Sequence, residues 1–320
     1  MLSKLKAALV AITLLAPTSV YAGQAVPESS DPIKVVLNDW TGQVTSAKIA
    51  GELLKSMGYN VEYVSAGAVP QFVGLADGNL DFQPEVWDNL IGDIYPKAVA
   101  SGEIKVVGEL GLKGWQDFMY PAYLEKSCPV LPSYKALWDC AQLFATPDTF
   151  PKGRLIAYPA DWGTFDEDLI KEIGAPIVPI PGGSEGAMMA EFQAAYGANK
   201  PIIMRWWSPH WIFAQHPDLK WIEWGKPGKS CADDAEFRKQ TKDDPCGFVQ
   251  PHVLKVVWGG FEKKWPAAYK LLNAMTLTND DQNAMSLEID QKGRALDDVV
   301  AEWIANHKAT WQPWVDQATK

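Results

Sequence analysis

Four tryptophans, Trp40, Trp87, Trp162 and Trp207, share one kind of position: each lies just beyond the carboxyl end of a segment that reads as a β-strand. Among side chains, the indole face attracts a cation best. A trimethylated nitrogen keeps its charge but has no N–H to donate, so aromatic faces and shape must recognise it. Indoles gathered at strand ends therefore point to a pocket for a small methylated amine. The alternative is plain packing, since large aromatics are commonly core residues. The densest run is Arg205-Trp206-Trp207-Ser208-Pro209-His210-Trp211, after the apolar Pro201-Ile202-Ile203-Met204. That apolar run reads as a short buried strand. Pro209 biases the residue before it towards an extended conformation, so these tryptophans sit where a strand leaves its sheet. Ligands of open α/β folds bind at such places.

Other residues are candidates for the same pocket. Trp115, in the aromatic loop 114–120, is either a fifth wall or hinge packing. Glu85, two residues before Trp87, points the same way as Trp87 on a strand. It either complements a cation, stays protonated and donates to a ligand oxygen, or is a strand-end acid with no ligand role. Asp39 and Asp161, each next to a box tryptophan, carry the same ambiguity. Gly163 and Thr164 open a helix, with Thr164 and Glu167 spaced as a capping box; free N–H groups there could hold a carboxylate or oxide oxygen. His210 has no nucleophile motif, HExxH or Walker pattern beside it and reads as structural. The acids Asp233, Asp234, Glu236, Asp243 and Asp244 lack the spacing of an EF-hand loop and read as solvated surface, not a metal site.

The elements that must position these groups alternate. Strands are predicted at 33–38, 61–64 and 80–85, with helices between them at 47–57 and 69–76, the first stopped by Gly58. This order implies a parallel sheet with helices on its faces. The stretch 114–123 reads as irregular. A second sheet is predicted from strands at 154–158, 177–180 and 201–207. The chain then returns through 253–257 to the first sheet and ends in helices at 266–275, 280–289 and 296–307. The fold class is α/β: two lobes around a cleft, lobe 1 comprising 23–121 plus 252–320 and lobe 2 comprising 122–251, with crossings near Pro121 and Pro251.

The chain has 320 residues, 47% hydrophobic and 21% charged, which is ordinary for a globular protein, but 15 tryptophans is a heavy load. A net charge of −10 argues against nucleic acid and anionic membranes as partners. Lys4 and Lys6 precede an apolar run at 7–16, and Val20-Tyr21-Ala22 has the small residues a signal peptidase reads. Residues 1–22 are therefore expected to be a signal peptide, too short to span a bilayer. The mature protein is expected to be soluble and exported. Four cysteines fit that oxidising compartment. Local pairing, Cys128 with Cys140 and Cys231 with Cys246, is the simplest of the three connectivities. A zinc site is the rival, but no CxxC is present.

The segments Asp81-Phe82-Gln83-Pro84-Glu85-Val86-Trp87, Asp161-Trp162-Gly163 and Trp206-Trp207-Ser208-Pro209-His210-Trp211 together resemble the periplasmic substrate-binding proteins of glycine betaine, proline betaine and choline ABC importers. The resemblance covers nearly all of the mature chain. It implies a type II periplasmic-binding-protein fold whose lobes close on the ligand. The implied aromatic box is Trp87, Trp162 and Trp207, with Trp40 at a position used in the choline-binding branch. One departure matters. Glycine-betaine binders of the family place a carboxylate-holding histidine four residues after the first box tryptophan, and here that residue is Ile91. The sequence is also similar to the trimethylamine N-oxide branch, where four tryptophans enclose the ligand. The expected ligand is trimethylamine N-oxide, with glycine betaine and choline as alternatives. The expected partner is a membrane permease, with no catalysis, cofactor or metal, and the protein is expected to be a monomer. The rival from another class is an exported hydrolase of a choline derivative, and a sensor of the same fold is a third reading.

Overall fold

The computed structural model describes residues 26–89 and 91–320. The expected signal peptide lies outside the described residues. Ten strands run in chain order: β1 (Ile33–Leu37), β2 (Val61–Ser65), β3 (Phe82–Trp87), β4 (Ile104–Glu109), β5 (Trp115–Pro121), β6 (Gly153–Ala157), β7 (Ile177–Pro181), β8 (Met204–Ser208), β9 (Leu219–Trp221) and β10 (Val253–Trp258). They form two five-stranded sheets, β2-β1-β3-β10-β4 and β7-β6-β8-β5-β9. Helices flank both sheets, and the class is α/β with the type II periplasmic-binding-protein architecture. Among the described residues, no helix is long and apolar enough to cross a membrane.

The two sheets repeat one plan. In the first, β1 lies between β2 and β3 and is parallel to both, and β10 enters antiparallel beside β3. In the second, β6 lies between β7 and β8 and is parallel to both, and β5 enters antiparallel beside β8. The chain leaves β1 towards one side and β3 towards the other. A crevice therefore opens beyond their carboxyl ends, and the same holds for β6 and β8. Trp40 follows β1, Trp87 ends β3, Trp162 follows β6 and Trp207 lies in β8. The four tryptophans thus occupy the switch points of both sheets.

Two expectations change. Residues 115–121 were expected to be irregular and to stay with the first lobe, but they form β5, hydrogen-bonded into the second sheet between β8 and β9. The chain therefore changes sheets between Glu109 and Trp115, earlier than Pro121; it returns after β9, before β10. β5 also contains Asp117, fully buried and taking the indole N–H of Trp224 on both carboxylate oxygens at 2.9 and 3.0 Å. A buried acid in mid-strand masks the alternation by which a strand is recognised. Second, the helix Phe165–Ile173 forms without the expected capping box. Thr164 has ψ 22° rather than the extended backbone that lets an N-cap hydroxyl turn back onto the first turn.

The C-terminal helices, including Pro266–Ala274, Asn279–Asp290 and Leu296–Asn306, complete the first lobe against the helix Thr41–Ser56. Both disulfides have the local pairing, Cys128–Cys140 and Cys231–Cys246, and both brace the second lobe.

Candidate functional site

The floor of the site is built by β3. Pro84 has no N–H to give to the ladder, and the pairing of β3 with β10 shifts register between Leu254 and Val256, opposite it. Such a bulge re-aims side chains next to functional sites. The Glu85 N–H bonds the Gln83 side chain at 3.1 Å, and the Glu85 carboxylate lies 1% exposed under the cleft. Four donors converge on it. The indole N–H groups of Trp40 and Trp87 reach one oxygen at 2.9 and 3.0 Å, while Ser46 and Gln282 reach the other at 2.9 and 2.7 Å. Burial pushes the Glu85 pKa above the usual carboxylate range, and the four hydrogen bonds act against that. An indole N–H only donates, so the oxygen between the two tryptophans has to accept. Through that oxygen, then, Glu85 has no hydrogen to donate to a ligand. Its geometry is that of an anchor fixing two rings by their N–H groups.

Two glycines make room for this floor. A Cβ on Gly42 would meet the Gln282 amide carbon at 2.8 Å, so only glycine lets Gln282 pass to Glu85. A Cβ on Gly114 would meet the Trp87 ring at 2.9 Å.

The second lobe supplies the facing walls. The Trp162 ring lies 5.0 Å from Trp40 at 66° and 5.5 Å from Trp207 at 70°, so neighbouring walls stand nearly perpendicular. Tyr158 fills the corner, 5.2 Å from Trp162 and 5.8 Å from Trp207. Trp207 is backed by Trp206, stacked at 4.7 Å, and by His210 at 5.1 Å. The Trp162 N–H crosses the cleft to Asp39 at 2.8 Å; burial raises the Asp39 pKa against that bond. Together these rings line a cavity of ≈ 40 Å³. Among the described residues, Glu85 is the only charged side chain lining it.

The structure thus brings Trp40, Trp87, Trp162, Trp207 and Glu85 to one cavity, and leaves three other candidates outside it. Trp115 lines a surface groove with Leu219 and Trp221. Successive residues of a strand face opposite sides, so it is the next residue, Gln116, that lines the cavity. Gly163 and Thr164 do not line it either. The first turn of their helix carries its own acids, Asp166, Glu167 and Asp168, which answer the partial positive charge at that end.

Sequence reasoning missed Tyr158 and Gln116. Tyr158 follows β6 directly, the same kind of position that marked the tryptophans, and applying that rule to phenols would have found it.

Beside the box the lobes are clasped in both directions. The helix Thr41–Ser56 begins without a side-chain cap and without an acid in its first turn. Glu185, from the opposite lobe, accepts its first N–H, that of Thr41, at 2.8 Å. In return Asp290 of the first lobe accepts the Trp211 indole N–H at 2.8 Å and the Thr41 hydroxyl at 2.6 Å. Burial, then the nearby Glu185, raises the Asp290 pKa. His210 lies 3.0 Å from Glu185 through Nε2, while its Nδ1 accepts the Ile212 N–H at 3.1 Å. Glu185, His210 and Asp290 have potential ligand atoms within 4.8 Å of one another. Yet the Nδ1 lone pair is in use, so Nε2 carries the hydrogen and donates, and each carboxylate oxygen already accepts a bond. These bonds form a clasp between the lobes. Glu185→Ala should speed ligand dissociation about tenfold, near 1.4 kcal/mol, with association little changed. Stopped-flow tryptophan fluorescence would read this, and an unaltered off-rate would remove the clasp from the closed state.

Residues 31–306 match the model of the family described as the substrate-binding domain of ABC-type glycine betaine transport systems. The chain is 26% identical over 294 residues, 90% of its length and 91% of the relative's, to the trimethylamine N-oxide-binding protein of Pelagibacter ubique (strain HTCC1062). It is 24% identical over 329 residues to the glycine betaine-binding periplasmic protein OusX of Dickeya dadantii (strain 3937), covering 97% of each chain. In fold it is similar to lactococcal OpuAC in its closed-liganded conformation with glycine betaine, at TM-score 0.69 and 22% identity over 91% of this chain and 100% of that one. It is likewise similar to an ABC-transporter choline-binding protein in complex with choline, at TM-score 0.72 and 16% identity over 91% and 93%. The chain belongs to the family of substrate-binding domains of ABC-type glycine betaine transport systems.

Proposed function

We propose that the protein captures trimethylamine N-oxide in the periplasm and, as a monomer, delivers it to the membrane permease of an ABC importer. Its task is capture and release, not bond making. The observation that carries this reading is the lining of the cavity: four indoles and a phenol, one buried carboxylate, and, among the described residues, no lysine, arginine or histidine. Each desolvated aromatic face contributes about 1–2 kcal/mol towards a methylated cationic nitrogen. Four faces together contribute about 4–8 kcal/mol, and with burial of the methyl groups the sum reaches about 8 kcal/mol, which corresponds to affinity near 1 μM. The carboxylate of glycine betaine has no cationic partner here and is repelled by Glu85. The N-oxide brings methyl groups for the walls and a single oxygen in place of a carboxylate. The 26% identical trimethylamine N-oxide-binding relative supports the same choice. Choline is the second reading, favoured by one observation: the Glu85 charge beneath the box complements its net positive charge.

Calorimetric titration of the processed protein with trimethylamine N-oxide, glycine betaine, choline, carnitine and dimethylsulfoniopropionate tests this. The N-oxide should bind tightest and glycine betaine at least about tenfold more weakly, a gap near 1.4 kcal/mol. Tightest binding of glycine betaine or choline overturns the specificity, and no binding of any of the panel overturns the capture role.

A further inference from the structure

The tryptophans account for the methyl groups of such a ligand but not for its oxygen, and both Glu85 oxygens are already engaged by neighbouring side chains. Gln116 has an amide NH2 to offer it. It lies directly opposite Trp207 in the antiparallel pair of β5 and β8, so the two side chains share a face. The residue is 3% exposed and lines the cavity. Its backbone is clamped on both sides by one side chain: the Gln116 N–H donates to Gln250 at 2.8 Å, and its carbonyl accepts from Gln250 at 3.2 Å.

The orientation of the Gln116 amide is dictated from behind. Its Oε1 accepts from the Arg205 guanidinium at 3.1 Å. A guanidinium has only donors, so the amide oxygen must face it and the NH2 must face away. Arg205 is itself immobilised. It is fully buried, its guanidinium carbon lies 3.4 Å from the Phe248 ring centroid and 5.2 Å from that of Tyr158, and its Nε is 3.4 Å from Asp166. Gln116 Nε2 has no hydrogen-bond partner among the described residues. A donor that has no protein partner and belongs to a cavity-lining residue is available to an acceptor that enters the site.

We propose that Gln116, with its amide held by Arg205, is the specificity-determining residue of the box and donates a hydrogen bond to the ligand oxygen. This rests on the capture of a methylated amine in the tryptophan box. The tryptophans then read the methyl groups, while Gln116 separates ligands that carry an acceptor next to the nitrogen from those that carry another methyl there. A site built to hydrogen-bond one group discriminates against an analogue lacking it more strongly than apolar shape alone does.

The test compares trimethylamine N-oxide with tetramethylammonium, in which a methyl group replaces the oxygen, by calorimetry on the wild-type protein and on Gln116→Leu and Tyr158→Phe. Gln116→Leu should weaken N-oxide binding about tenfold to a hundredfold while tetramethylammonium affinity changes less than about threefold, the fold-change expected for one lost hydrogen bond to a charged acceptor. Retained tetramethylammonium binding also shows that the variant is folded with its box intact. Equal loss for both ligands, or loss for neither, overturns the assignment. So does a loss of N-oxide preference that follows Tyr158→Phe instead, because the buried Tyr158 hydroxyl, which also lines the cavity, has no partner among the described residues. A wild-type protein that binds neither ligand contradicts the capture function itself, which separates that failure from failure of the Gln116 assignment.

Discussion

Glu85→Leu is expected to abolish measurable binding of trimethylamine N-oxide and to lower the stability of the unliganded protein by about 2–5 kcal/mol. Leucine fills most of the same space but offers no acceptor. The N–H groups of Trp40 and Trp87, the Ser46 hydroxyl and the Gln282 amide then lose their common partner. Each orphaned buried donor costs about 1–3 kcal/mol, reduced where a water enters the gap and by the removal of a buried charge. The two indoles lose the bonds that fix their rotation, so the walls that remain are no longer held face-inward. Glu85→Gln separates this positioning from the charge. Its amide oxygen can still accept from both indoles, but its NH2 must then face Gln282, which also donates. Binding should fall about tenfold, near 1.4 kcal/mol, with a much smaller loss of stability than in the leucine variant. Thermal melts and fluorescence titrations of both variants check this. If Glu85→Leu bound the N-oxide as tightly as the wild type, neither the charge nor the anchoring role of Glu85 would survive.

The strand ends were legible because two independent signals met there. Apolar runs such as residues 33–37 and 253–257 announce buried strands, and an indole just beyond such a run has few reasons to be there except a crevice. The same logic failed where the signal was mixed. β5 carries a buried acid, so it read as a loop, and without its strand alternation Trp115 could not be told from Gln116. A shift of one residue in a strand exchanges its faces, and the more conspicuous aromatic was on the wrong one. Glu85 was a candidate with several readings, and choosing among them depended on contacts from Ser46 and Gln282, distant in sequence. The clasp was invisible for a related reason: Glu185 and Asp290 are ordinary acids at helix ends until the fold brings each to a donor in the other lobe. The helix Lys308–Ala318 was missed because Pro313 lies inside it, and an internal proline normally argues against helix.

Among the box residues, Trp162 should show the largest loss. It is the wall shared by the others, in contact with Trp40, Trp207 and Tyr158, and the one whose indole N–H bonds across the cleft to Asp39. Trp162→Ala therefore removes three contributions at once. The cation loses a face, about 1–2 kcal/mol. The lobes lose a hydrogen bond, about 1 kcal/mol. The neighbouring rings lose the edge that keeps them upright, and water gains a path to the bound nitrogen. Together these amount to about 3 kcal/mol or more, at least a hundredfold in affinity. Trp87→Ala and Trp207→Ala each remove one face without a cross-cleft bond and should lose at least about tenfold. Trp162→Phe keeps an aromatic face and gives up only the N–H, so it should fall between wild type and alanine and lose its affinity mainly through faster dissociation. That ordering, alanine below phenylalanine below tryptophan at 162 and alanine at 162 below alanine at 87 or 207, follows from the walls acting as one enclosure. Equal losses at all positions would instead describe independent faces, each contributing its own contact and nothing to the closure of the lobes.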